Sequence, residues 1–94
     1  MTTNWTSRAL ADITEVTEYI RADNPTAAEK MIERVLDVVN NTLIHQPNIG
    51  KPGRVAQTRE YIVHPSYILV YRVKNTSLDI IAFRHTAQRW PKKF

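Results

Sequence analysis

The 94-residue chain has no cysteine and only two glycines. The first absence excludes disulfides, a thiolate nucleophile and cysteine-ligated zinc, and it is compatible with a reducing cytosol. The second excludes a glycine-rich phosphate loop and the glycine-flanked elbow that exposes a catalytic serine. Long apolar runs are missing as well. The longest fall near residues 35–39 and 67–71, far short of a membrane span. The opening Met1-Thr2-Thr3-Asn4 has neither the basic nor the apolar part of a signal peptide, so a soluble, cytoplasmic protein is expected. No pair among His45, His64 and His85 has the i, i+4 spacing of a helical zinc site, and no acidic cluster accompanies them. Neither a metal nor another cofactor is expected.

What is present is enough for one domain over residues 1–94 and too little for two cores. A hydrophobic fraction of 43% argues against disorder. The net charge of +4 is unevenly spread. Residues 1–46 carry four basic and seven acidic side chains, a net of −3, and residues 47–94 carry nine basic against Glu60 and Asp79, a net of +7. The second half therefore presents either an electropositive face for an anionic partner or a basic surface that only aids solubility.

Asn4-Trp5-Thr6 reads as a weak strand. From Ser7, a plausible N-cap, Leu10, Ile13, Thr17 and Ile20 recur at helical steps, with Asp12, Glu15 and Glu18 on the other side. Asn24-Pro25 ends this helix and caps the next, since proline at the first helical position loses nothing by lacking an N–H. Ala28, Met31, Ile32, Val35, Val38, Val39 and Thr42 carry an apolar face onward for about five turns. The short link predicts an antiparallel helical hairpin. Gln46–Gly53 holds both glycines and two prolines and must be a loop. Beyond it the period becomes two in Tyr61–Val63, Tyr67–Val73 and Leu78–Phe83, with turns at His64-Pro65-Ser66 and Lys74-Asn75-Thr76. The expected fold is α+β: an N-terminal antiparallel helical hairpin packed on a small antiparallel β-sheet, one sheet face under the helices and the other free.

A metal-free ribonuclease needs a base, an acid and a cation for the phosphorane charge. His85 is a candidate base or acid, and Arg54, Arg59, Arg72, Arg84 and Arg89 are candidate cations. In a straight strand Arg84 and His85 face opposite ways, so only one of them can share a given site. Arg72 and Arg84 are equally readable as polar residues of a solvated sheet face, and His85 as a strand-ending histidine bonded to backbone. The tail Arg89-Trp90-Pro91-Lys92-Lys93-Phe94 mixes basic and aromatic groups, which suits stacking on bases, packing on a partner, or covering the open edge of a small core. Trp5 is expected in the core.

Several stretches resemble a known family. Pro47-Asn48-Ile49-Gly50-Lys51-Pro52-Gly53-Arg54-Val55 with Thr58-Arg59-Glu60 is similar to the G-[RK]-P-G-R-V…T-R-E signature of RelE/ParE-superfamily toxins. Tyr67–Val73 resembles that family's central Y-I-[IV]-x-Y-R-V strand. Arg84–Pro91 resembles its closing R-x-x-H-x-x-[QR]-x-[WF]-P segment, shortened before the histidine, and Trp5, Ala9–Ile13, Tyr19-Ile20 and Asn24–Ala28 resemble its helical half.

The resemblance implies the toxin of a bacterial type II toxin–antitoxin pair, with a cognate antitoxin that is acidic and partly disordered as its partner. The ParE-like branch poisons DNA gyrase without catalysis of its own. The RelE-like branch cleaves mRNA on the ribosome, and in that case His85, Arg72 and Arg59 are the catalytic set. Ile68 stands where RelE-like nucleases tend to carry a basic residue, and Lys51–Arg54 lacks the glutamate of one nuclease branch. These departures and the long hairpin favour the ParE-like branch. Arg54, Arg59, Arg72, Arg84, Arg89 and Trp90 are the expected target- or nucleic-acid-binding residues. A plain nucleic-acid-binding module is the third reading.

Overall fold

The computed structural model describes all 94 residues, Met1–Phe94. The chain opens with β1 (Thr2–Trp5), continues through α1 (Ser7–Asp23) and α2 (Pro25–Asp37), and passes into a π-helical turn at Val38–Leu43. Four strands follow: β2 (Lys51–Pro52), β3 (Arg59–His64), β4 (Tyr67–Lys74) and β5 (Ser77–His85). They form one sheet in the order β1-β5-β4-β3-β2. The α+β expectation holds, but the sheet is mixed, because β1 runs parallel to β5 from Thr2 opposite Ser77 to Trp5 opposite Ile80. A parallel neighbour needs a crossover, and the helical hairpin supplies it.

The helix ends show how the chain is anchored. Thr6, not Ser7, caps α1: its hydroxyl oxygen accepts from the Ala9 N–H at 3.1 Å and donates to the carbonyls of Ile80 and Ile81. Past Ile80 the edge of β5 has no strand beside it, and buried or half-buried backbone groups there need other partners. Thr6 meets the carbonyls, and the Asp12 carboxylate accepts from the Phe83 N–H at 3.0 Å. Asn24 caps α2 by accepting from the Ala27 N–H at 3.1 Å, with Pro25 at the first position as read from sequence. The second helix does not stay α-helical to Thr42. Val38-Val39-Asn40-Asn41-Thr42 is a run of weak helix formers, and there the hydrogen bonding widens, with the Ile44 N–H donating to the Val39 carbonyl. The wider turn brings Val38, Val39 and Leu43 all inward.

The main core lies between the helices and the sheet. Met31, Val35, Val39 and Leu43 meet Leu69, Tyr71, Leu78, Ile80 and Phe83 there, with Trp5 packed at its margin. Leu10 is not part of it. It is 54% exposed, because α1 turns Ala9, Val16 and Thr17 toward the sheet and leaves Leu10 at the rim. A bulge between Val70 and Tyr71 shifts the β4–β5 register, so that Ile81 and Ala82 both fall on the far side. That far side is not free. The tail folds back across it and lays Trp90 and Phe94 on Ile68, Val70, Ile81 and Ala82.

Candidate functional site

The tail face gathers three of the five arginines that the sequence marks, Arg54, Arg72 and Arg84. After His85 the backbone turns, with the Thr86 N–H donating to the Ser66 carbonyl at 2.9 Å and the Gln88 N–H to the His85 carbonyl at 3.0 Å. This return carries Trp90 under Arg54, whose guanidinium carbon lies 3.8 Å from the indole centroid. Arg84, from β5, approaches the same ring at 5.9 Å. Arg84 is 7% exposed, and its Nη2 donates to the Arg89 carbonyl. Its Nε and the Trp90 Nε1 find no partner in the protein.

Glu60 sets the position of Arg54. Its carboxylate is buried and accepts from the Arg54 backbone N–H at 2.7 Å and from Nε and Nη2 at 3.2 Å each. Burial pushes the Glu60 carboxyl up, but the side-chain and backbone hydrogen bonds from Arg54 outweigh it and hold it below the ordinary carboxylate range. Glu60 was not marked as a site residue in the sequence. The signal available was its isolation, since it and Asp79 are the only acids after residue 46.

Arg72 lies on the same face, half-buried, with its Nε donating to the Gln57 carbonyl at 3.1 Å. Gln57 holds a φ of 64°, a left-handed conformation uncommon for a residue with a side chain. Arg72, Arg8, Ile81 and Phe94 line a cavity of about 220 Å³ there, with Arg8 5.4 Å from the Phe94 ring. Arg89 itself is exposed.

Arg59 and His85 lie elsewhere. Arg59 donates to the carbonyls of Gly50 at 2.7 Å and Asn48 at 3.3 Å, so it braces the loop before β2. Tyr71 braces it from beneath: its buried hydroxyl donates to the Pro47 carbonyl at 2.7 Å and accepts from the Gly50 N–H at 2.9 Å. Burial pushes the Tyr71 hydroxyl above the ordinary phenol range. Gly50 is required by this approach, since a Cβ there would come within 2.8 Å of the Tyr71 ring and 2.9 Å of the Glu60 carbonyl oxygen.

His85 is exposed on the helix side of the sheet, edge-on to Tyr67 at 5.2 Å, as the alternation with Arg84 requires. Its Nδ1 accepts from the Ala87 N–H at 3.0 Å, which puts the proton of the neutral ring on Nε2. Its neighbours across a small cavity are Asp12, Glu15 and Tyr19, not arginines. On β4, His85 stands opposite Tyr67 and Arg59 opposite Tyr71. Four residues of strand separate them by roughly 13 Å. Arg72 is on the other face. No group of three histidines, cysteines or carboxylates is placed to hold a metal ion.

Residues 3–90 match the family model described as ParE toxin of type II toxin-antitoxin system, parDE. The chain belongs to this family. The protein Y4kP of Sinorhizobium fredii is 36% identical over 89 residues that make up 94% of this chain and 91% of that one. Toxin RelE2 of Caulobacter vibrioides is 37% identical over 84 residues, 89% of this chain and 93% of that protein. Among solved structures, the chromosomal ParDE TA system from P. aeruginosa superposes with a TM-score of 0.71 at 19% identity, covering 90% of this chain and 95% of that one. The YoeB/ParE toxin from Agrobacterium tumefaciens gives 0.64 at 21% identity, covering 90% and 98%. These two likenesses establish the RelE/ParE-like fold. The chain is thus a toxin of the RelE/ParE superfamily, and membership implies a cognate antitoxin as partner.

Proposed function

We propose that this toxin arrests growth in the ParE manner, by protein–protein contact with DNA gyrase in the cytoplasm and without catalysis of its own. The observation that carries this reading is the dispersal of Arg59, Arg72 and His85. A ribonuclease needs its base, its acid and its charge-stabilising cation around one phosphate. Here the histidine sits on the helix side among carboxylates, Arg72 lies on the tail side, and Arg59 is engaged with loop carbonyls. In the proposed contact the tail face meets the target, with Arg72 and Arg89 offering guanidinium groups while Arg54, Arg84 and Trp90 shape the surface. The cognate antitoxin, acidic and partly disordered, neutralises the toxin by folding onto it.

Induced expression of the chain in bacteria tests the proposal, with SOS induction, chromosome morphology and mRNA cleavage followed together. Filamentation with SOS induction and intact transcripts is expected, as is undiminished toxicity of His85→Ala. Translation arrest with cuts in ribosome-bound mRNA, abolished by His85→Ala or Arg72→Ala, would overturn it in favour of the RelE-like endonuclease. Tight binding to naked nucleic acid that weakens steeply with salt, with no gyrase effect, would favour the plain binding module.

A further inference from the structure

A second group of cations lies on the helix side of the sheet, across from the tail face. The helical half has a net charge of −3, yet the cleft between the hairpin and the β3–β4 turn is lined by Lys30, Arg34 and His64 and by no carboxylate. Lys30 and Arg34 are four residues apart on α2 and so project from one side of it. The ion pairs of the molecule are Arg21 with Glu18 and Glu29, and Arg54 with Glu60, which leaves both α2 cations without an acid. Arg34 Nη1 reaches the Val63 carbonyl at 3.4 Å, so the guanidinium leans across the cleft toward the turn. His64 Nδ1 accepts from the Ser66 N–H at 3.1 Å, which leaves Nε2 as the ring's donor. The rest of the lining is apolar, with Ile20 and Met31 from the helices and the Tyr67 ring from the turn. The cavity holds about 390 Å³, at the lower end of small-ligand sites.

We infer that this cleft receives an acidic segment of a protein partner, one carboxylate settling between Lys30, Arg34 and His64 while an adjacent apolar side chain lies on Ile20, Met31 and Tyr67. The inference rests on the proposed neutralisation by an acidic antitoxin and adds where such a chain is gripped. A peptide fits better than a nucleic acid. A phosphate backbone needs a track of cations along its length. Here two cations, Lys30 and Arg34, and the imidazole donor of His64 form an island beside an acidic half, so one carboxylate is attracted where a polyanion is repelled.

Titration of the isotope-labelled full chain with acetyl-Ala-Leu-Asp-Leu-amide, read by NMR amide shifts, tests the site. Shifts are expected over residues 27–34 and 64–67. They should weaken roughly tenfold or more in affinity for the same peptide with asparagine in place of aspartate, since a hydrogen bond to a charged group is of that size. The double variant Lys30→Glu/Arg34→Glu, with both side chains exposed in the wild type, should lose them too. No shifts, or equal shifts with the asparagine peptide, would overturn the inference, as would a six-nucleotide uridine RNA that moves these residues while the acidic peptide does not. The titration uses neither gyrase nor toxicity, so a silent cleft overturns this site alone. Failure of the adjacently encoded protein to rescue growth would overturn the antitoxin reading instead.

Discussion

The two faces of the sheet are closed by different physics. On the helix side, twelve buried residues interlock in a single cluster of aliphatic and aromatic side chains. On the tail side only Ile68, Val70, Ile81 and Ala82 form the floor, and the cover is a terminal segment held by one indole and one phenyl ring. The helix face is held by burial of apolar area, which is non-directional and cooperative. The tail face is held by a chain of contacts from Glu60 to Arg54 to Trp90, in which an arginine stacked on an aromatic ring contributes about 0.5–2 kcal/mol according to its desolvation. Cations that look like ligands for an outside anion are here partly spent on cover. The lesson is that a basic patch on a small sheet has to be checked for what it holds inside the molecule before it is given to a partner.

Substitutions can separate the two faces. Leu69→Ala removes a fully buried side chain from the helix-side cluster, and we expect a loss of about 3 kcal/mol in urea unfolding. A loss under roughly 1 kcal/mol would mean that the helices do not seal that face. Arg54→Ala should cost about 2 kcal/mol at neutral pH, because it leaves the Glu60 carboxylate, 1% exposed, with only the backbone N–H donor. The sign of its pH dependence follows from the Glu60 shift. A carboxyl held below its unfolded value stabilises the fold above that value and loses the effect as pH falls through the folded one. The gap between wild type and Arg54→Ala should therefore be full at neutral pH and narrow once pH drops below the ordinary value of 4.5. A gap that stays constant down to acid unfolding would show that Arg54 acts through packing on Trp90 and not through the ion pair.

Much of this architecture was legible in the sequence. The hairpin of helices, the cap at Asn24 with Pro25, the loop around both glycines and the three strands from Arg59 onward follow from period and turn chemistry. The misses share one cause, which is that they depend on contacts distant in the chain. Thr6 outcompetes Ser7 as cap because its hydroxyl also meets Ile80 and Ile81 across the fold. The parallel pairing of β1 with β5 joins residues 75 apart, beyond any local pattern. The bulge at Ile81 decides which way the end of β5 faces, and period two cannot locate it. Among the candidate site residues, the opposition of Arg84 and His85 was readable from alternation. That Trp90 covers an open part of the core was one of the readings the sequence allowed, but its grouping with Arg54 depends on how the tail folds back, which no local pattern fixes.

Trp90→Ala gives the smallest stability effect and the finest test of the contrast. It removes the ring on which Arg54 rests and half of the aromatic cover, while the helix-side cluster is left intact. We expect a global loss of about 1 kcal/mol, since a half-buried terminal side chain gives up little area and a solvent-accessible cation–π contact. The tail itself should respond more than the midpoint does. Release of the segment exposes the bonds after Arg89, Lys92 and Lys93 to trypsin, and an opening made easier by about 1 kcal/mol raises the cleavable population roughly fivefold. Cleavage at those sites at the wild-type rate would mean that the tail is not held by Trp90. A stability loss as large as that of Leu69→Ala would mean that the two faces form one cooperative core, and the division of labour between them would fall. If tail release also abolishes toxicity while the fold persists, the covered face, and not the basic loop at Arg59, is the part of the toxin that its target reads.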